Sequence, residues 1–138
     1  MKDKYLLDTN VCIFFMRGKY GVAQRISKIG RKNCCISEIT VAELLFGAAN
    51  CTKPEDRERH KQQTLEFVRL LDVIPISESL GVFAEEKSRL RKQGEPIDDF
   101  DLLIAATAIK HKLILVTDNI RHMERAKDIK LENWIERE

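Results

Sequence analysis

The sequence predicts an α/β fold, a central and mainly parallel sheet with helices packed on both of its faces. Three observations carry that expectation. Four short apolar runs spread along the chain read as buried strands; the longer segments between them carry helical spacing; and polar clusters directly follow two of the runs. With 138 residues and 43% hydrophobic content, the chain is sized for a single domain with one real core, expected over residues 1–138.

The first run is Tyr5-Leu6-Leu7, closed by Asp8. The second is Cys34-Cys35-Ile36, after which Ser37 is placed to cap a helix running through Ile39, Ala42, Leu45 and Phe46. Residues 54–71 begin polar and gain an apolar face at Leu65, Val68 and Leu71. The third run, Val73-Ile74-Pro75-Ile76, precedes Ser77 and Ser79, either of which can start a helix that Gly94 ends. Asp98 or Asp99 caps a helix through Ile109. Its middle, Leu102-Leu103-Ile104-Ala105-Ala106, is apolar nearly all round, as in a helix buried against a sheet. The fourth run, Leu113-Ile114-Leu115-Val116, leads into Thr117-Asp118-Asn119. Sites in open α/β sheets form at the carboxyl ends of strands, which is where Asp8 and Asp118-Asn119 fall.

Composition excludes more than it assigns. Charged residues make up 33%, yet the net charge of +2 does not announce a nucleic-acid binder. Lysines and arginines are spread through residues 17–32, 53–61 and 87–92, as on ordinary solvated faces. No apolar stretch is long enough for a signal peptide or a membrane span, so a cytoplasmic location and no membrane are expected. Cys12, Cys34, Cys35 and Cys51 follow no metal or redox spacing and read as free thiols in a reducing compartment.

The carboxylates divide by context. Asp8-Thr9-Asn10 reads either as a helix cap or as a strand-end carboxylate facing a crevice, where it can ligate a hard cation. Glu43 lies in Val41-Ala42-Glu43-Leu44-Leu45-Phe46, on the helix face of Ile39 and Phe46. In such apolar surroundings it needs a metal or a Lys or Arg partner. Asp98 and Asp99 suit the positive end of a helix dipole. Asp101 lies one turn further in, on the face of Ala105 and Ala108, and is the preferred ligand of the three.

Several chemistries are missing. No phosphate loop, nucleophile elbow or His-Glu-x-x-His zinc motif is present, and His60, His111 and His122 stand apart, as surface residues do. A site of carboxylates suits Mg²⁺ or Mn²⁺ rather than zinc, the equipment for hydrolysing a phosphodiester.

The ordered motifs have a family resemblance. Residues Leu6-Leu7-Asp8-Thr9-Asn10-Val11-Cys12-Ile13 resemble the opening of a VapC-type toxin, a PIN-domain ribonuclease. Val41-Ala42-Glu43-Leu44-Leu45-Phe46-Gly47-Ala48 resembles that family's second acidic motif, and Gly94-Glu95-Pro96-Ile97-Asp98-Asp99-Phe100-Asp101 with its apolar continuation resembles the third. Val116-Thr117-Asp118-Asn119-Ile120-Arg121-His122-Met123 resembles the fourth, and Leu131-Glu132-Asn133-Trp134 is similar to the ending of many members. Two departures stand out. Met123 replaces a common Phe, and Asp98 and Asp99 replace residues often uncharged.

The resemblance implies a PIN-like three-layer α/β/α sandwich and cleavage of RNA, tRNA being the frequent target, by metal-activated water. It implies Mg²⁺, or Mn²⁺, held by Asp8, Asp101 and Glu43, with Asn119 matching the fourth site position and Asp118 the charged alternative beside it. Thr117 would orient the cluster, Thr9 and Asn10 support it, and Asp98 and Asp99 serve as outer residues or caps. Arg17, Arg121 and Arg125 are candidate phosphate contacts, with plain surface charge as the competing reading. Inhibition by a cognate VapB-type antitoxin is implied too, with a homodimer and a higher toxin–antitoxin assembly. Phe14, Phe15 and Met16 read either as a partner surface or as core. The rival functions are a Mg²⁺-dependent phosphatase-like domain, against which Asn10 stands where a second Asp would be needed, and a non-catalytic interaction protein on the same fold.

Overall fold

The computed structural model describes residues 3–137; Met1, Lys2 and Glu138, the outermost residues of the expected domain, lie outside them. Strands β1 (Tyr5–Leu7), β2 (Cys34–Ser37), β3 (Asp72–Ile74), β4 (Ile114–Val116) and β5 (Lys130–Glu132) form one sheet in the order β3-β2-β1-β4-β5. All four pairings are parallel, with Leu6 opposite Cys35 on one side and Leu115 on the other. Helices α1 (Thr9–Met16), α2 (Val22–Ile29), α3 (Glu38–Ala49), α4 (Pro54–Arg69), α5 (Leu80–Gln93), α6 (Asp99–His111) and α7 (Ile120–Met123) fill the connections.

Strand alternation explains the layers. Successive side chains of a strand face opposite ways. Leu6, Cys35 and Leu115 enter a core with Leu90 of α5, Leu102, Ile104 and Ala105 of α6, and Met123 of α7. Their neighbours Leu7, Cys34, Ile36 and Val116 enter a second core with Val11, Val22, Ile26, Phe67 and Trp134. Helix α3 stands between the two, giving Ile39 to the first and Leu44 to the second. The result is an α/β/α sandwich, the architecture expected. Cys12, Cys34 and Cys35 are buried free thiols and Cys51 is half-buried. Burial pushes the Cys34 thiol up to about 11 and the Cys35 thiol up to about 12. No helix among the described residues is long and apolar enough to cross a membrane.

Local chemistry ends the elements where the sequence suggests, with some differences. Ser37 caps α3, its Oγ accepting from the Ile39 amide at 3.0 Å. Gly94 ends α5 in the left-handed region at φ 70°, which glycine adopts without a side-chain clash. β3 stops before Pro75, which has no N–H to continue a ladder. Lys130-Leu131-Glu132 carries one apolar residue in three, too little signal to read as a strand, yet it pairs with β4 at the sheet edge. Spacing alone also singles out no element between Thr9 and Asn33, where α1 and α2 lie.

The expected apolar face of α3 needs correcting. Ile39 is buried, but Phe46 is 67% exposed and Ala42 is exposed as well. Ile39, Thr40, Leu44 and Ala48 are the buried positions of the helix, while the Ala42 and Phe46 side is exposed. Phe14 and Phe15 join the second core, Phe15 against Phe67 at 5.3 Å between ring centroids, and only Met16 of that trio is exposed.

Candidate active site

Chain order places the site. The chain runs outward from β1 to β2 and β3, then returns to the other side of β1 with β4 and β5. The reversal opens a crevice above the carboxyl ends of β1 and β4, where ligands bind in such sheets. Asp8 leaves β1 there, and Thr117, Asp118 and Asn119 leave β4. Helix α3 carries Glu43 to the same rim, and the first turn of α6 brings Asp101. These elements enclose a cleft of about 320 Å³ lined by Asp8, Thr9, Asn10, Glu43, Asp101, Asp118 and Asn119.

Asp8 is both cap and cleft residue. Its Oδ1 accepts from the Thr9 amide at 2.8 Å, opening α1, and its Oδ2 accepts from the Thr117 hydroxyl at 2.7 Å. Each oxygen keeps a lone pair. The side chain is 5% exposed, and burial pushes its carboxyl above the usual range against the pull of those two donors. Thr117 is wholly buried and also takes the Asn119 amide on its hydroxyl at 2.9 Å, tying β4's end to Asp8.

Glu43 has a threonine partner rather than a cation. The Thr9 hydroxyl donates to its Oε1 at 2.5 Å, and Thr9 and Thr40 are themselves hydroxyl-bonded at 3.1 Å. Among the described residues no Lys or Arg pairs with Asp8, Glu43 or Asp101, so the salt-bridge alternative for Glu43 is not the one adopted. The excess charge registers on Asp101, whose carboxyl is pushed up to about 6, first by burial, then by Asp8, Asp98 and Glu43.

The outer residues divide. Asp98 is the residue before α6 but makes no capping bond, while Asp99 pairs with Lys87 at 2.9 Å outside the cleft. Asp118 lines the cleft, yet its Oδ2 takes Arg137 at 2.6 Å. Asn119 turns its Oδ1 to His122 Nδ1 at 2.7 Å. Arg125 donates to the Pro96 carbonyl at 2.9 Å and so braces the loop before α6. Arg121 is exposed on α7, and Arg17 lines a neighbouring groove that shares Glu43. His122 is exposed, whereas His60 and His111 are half-buried, and His111 Nε2 is enclosed without a partner. Sequence reasoning passed over Thr40, His122 and Arg137. His122 could have been found as the i+3 neighbour of Asn119; for Arg137 no local signal exists.

Donor chemistry fits a hard divalent cation. The cleft offers carboxylate, hydroxyl and amide oxygens, no sulfur, and three carboxylates without a counter-charge. As the side chains stand, no three His, Cys, Asp or Glu among the described residues converge closely enough to hold an ion.

Comparison with known proteins gives one consistent picture. A family model described as PIN domain matches residues 5–129. The tRNA(fMet)-specific endonuclease VapC of Shigella flexneri is 33% identical over 132 residues, covering 95% of this chain and 98% of the relative. Ribonuclease VapC2 of Haemophilus influenzae is 36% identical over 133 residues, covering 96% and 98%. Among solved structures, DNA-bound VapBC from Salmonella typhimurium superposes with a TM-score of 0.87 at 30% identity, over 96% of this chain and 99% of that one.

Proposed function

The chain belongs to the PIN-domain family as a ribonuclease toxin of the VapC type, and from that premise we propose that it is a Mg²⁺-dependent endoribonuclease acting on tRNA under the control of a VapB-type antitoxin. The observation that carries this reading is the set of three carboxylates, Asp8, Glu43 and Asp101, facing one cleft with no Lys or Arg paired to them among the described residues. The name of the Shigella relative supports tRNA as substrate class, and the VapBC neighbour supports the antitoxin. The homodimer and larger toxin–antitoxin assembly belong to the same proposal, as does one domain spanning the whole chain.

Asp8, Asp101 and Glu43 would hold the ion, with Asn119 at the fourth position. Bound there, Mg²⁺, or Mn²⁺ in its place, supplies Lewis acidity that activates water and offsets charge building on the phosphorus oxygens. The protein's own residues do the aiming. Thr117 and the Thr9 amide lock both oxygens of Asp8, and the Thr9 hydroxyl orients Glu43. Asp101, whose carboxyl is pushed up to about 6 by burial and by Asp8, Asp98 and Glu43, would have its ionised form favoured by a cation held beside it. Asn10 lines the approach, and Asp98 adds negative charge behind Asp101. The exposed Arg17 and Arg121 are available to RNA phosphates, while Arg125 serves the loop it braces.

Purified chain incubated with tRNA and unrelated RNAs, in Mg²⁺ or in EDTA, tests the reading. Cleavage is expected in Mg²⁺ alone, with tRNA preferred, and lost in Asp8→Asn and Asp101→Asn of unchanged circular dichroism. If both variants cleave like the parent, the assigned site is wrong. Co-expression with a VapB-type partner should silence the activity.

A further inference from the structure

We propose that Arg137 is a positioning residue of the cleft, holding Asp118 at the rim as a neutral ion pair so that bare negative charge is confined to Asp8, Glu43 and Asp101. The inference rests on the reading of those three as cation ligands. Asp118 belongs to the cleft lining, but both of its oxygens are turned to the segment after β5. Arg137 Nη2 lies 2.6 Å from Oδ2, and Asn133 Nδ2 lies 3.5 Å from Oδ1. Among the described residues this is the one ion pair that engages a cleft carboxylate.

The arginine is itself held. Its guanidinium carbon sits 5.0 Å from the ring centre of Tyr20 and 5.8 Å from that of Phe14, within cation–π range of both. Those two rings meet edge to face at 4.8 Å. Tyr20 lies in the left-handed region at φ 58°, between Gly18 and Gly21, and its carbonyl receives the Glu136 amide at 3.4 Å. Trp134 anchors the same segment, buried in the second core. The α1–α2 turn and the segment after β5 thus form one cradle that meets the cleft at Asp118, through the Arg137 ion pair and the longer Asn133 contact.

The consequence is electrostatic and geometric. A free Asp118 would add a fourth carboxylate to the cleft and compete with Asn119 for the fourth position. Pinned, it cancels its charge against Arg137 and holds the short loop in which its neighbours Thr117 and Asn119 face Asp8 and the cleft. Arg137 touches no reacting atom in this scheme; it acts through Asp118.

The test is Mn²⁺ binding by calorimetry to the full chain, in the absence of RNA. Arg137→Gln keeps a polar side chain and removes the charge; Arg137→Lys restores it. In the parent background Arg137→Gln is expected to tighten Mn²⁺ binding about three- to tenfold, because a carboxylate is released into the cleft. In an Asp118→Asn background the same change should alter affinity less than about twofold, and Arg137→Lys should stay near the parent. An equal shift in both backgrounds would make Arg137 a general surface charge, and no shift in the parent background would mean that the pair does not set the cleft's charge; either overturns the proposal. Asp101→Asn is the control. If it binds Mn²⁺ like the parent, the reading of the three ligands falls instead.

Discussion

At the scale of the residue, Thr117 and Asp101 control the cleft in opposite ways. Thr117 satisfies two groups with one hydroxyl, donating to Asp8 and accepting from the Asn119 amide. Thr117→Val keeps the shape and leaves both short of a partner; a loss of about 1–3 kcal/mol in urea unfolding is expected, with weakened cleavage, and Thr117→Ser should recover most of both. Asp101 carries the opposite strain. Its folded carboxyl titrates at about 6, above the 3.8 of an unperturbed Asp. The unfolded chain therefore releases this proton first, and the metal-free protein loses stability as pH rises from 3.8 to 6, then stays level. Solvent screening of a half-buried group limits that loss to about 1–2 kcal/mol. Thermal melts of metal-free Asp101→Asn should lack this decline, so above pH 6 the variant is expected to melt higher than the parent while cleaving no RNA. A melting curve with the same pH dependence in both proteins would mean that Asp101 is not the strained group.

At the scale of the element, two helix ends do different jobs. Ser37 caps α3 from a fully buried position, and α3 carries Glu43. Ser37→Ala should cost about 1–2 kcal/mol and also lower activity, because the first turn of α3 aims the carboxylate. Gly94 ends α5 at φ 70°, and a Cβ there would meet nothing within 4 Å. Gly94→Ala should therefore cost about 1 kcal/mol through backbone strain alone and leave the specific activity of the folded enzyme unchanged. Chemical denaturation beside an RNA cleavage assay separates the two. Equal losses of activity would show that α3 is not an aiming element.

At the scale of the whole molecule, the crevice exists because the chain reverses beside β1, bringing strand ends from opposite halves of the sequence together. Its carboxylates repel one another in the folded chain and are far apart in the unfolded one. A cation that binds only the folded form must then raise stability by mass action, about 1.4 kcal/mol at tenfold excess over its dissociation constant, or a few degrees in melting temperature. Mg²⁺ and Mn²⁺ titrations followed by thermal melts should show that rise in the parent and not in Asp101→Asn. A parent melting temperature indifferent to both ions would argue against a cation in the cleft.

Much of this architecture was legible along the chain. Tyr5-Leu6-Leu7 and Leu113 to Val116 are apolar because the sheet they build is covered on both faces, and the middle of α6 is apolar because it is buried in the first core. The edge strand β5 was not legible, since an edge with one apolar residue in three looks like any loop. Nor was the outward turn of Phe46, because periodicity gives a helix face but not what lies opposite it. The sequence by itself determined the strand-end positions of Asp8, Asp118 and Asn119 and the family to which the chain belongs, for both follow from residue types in order. Tertiary structure alone decided the partners. That Glu43 rests on Thr9, that Asp118 pairs with Arg137 and that Asp101 is pushed up by Asp8 depend on distances between residues far apart in sequence, and charge interactions fall with distance in space, not along the chain.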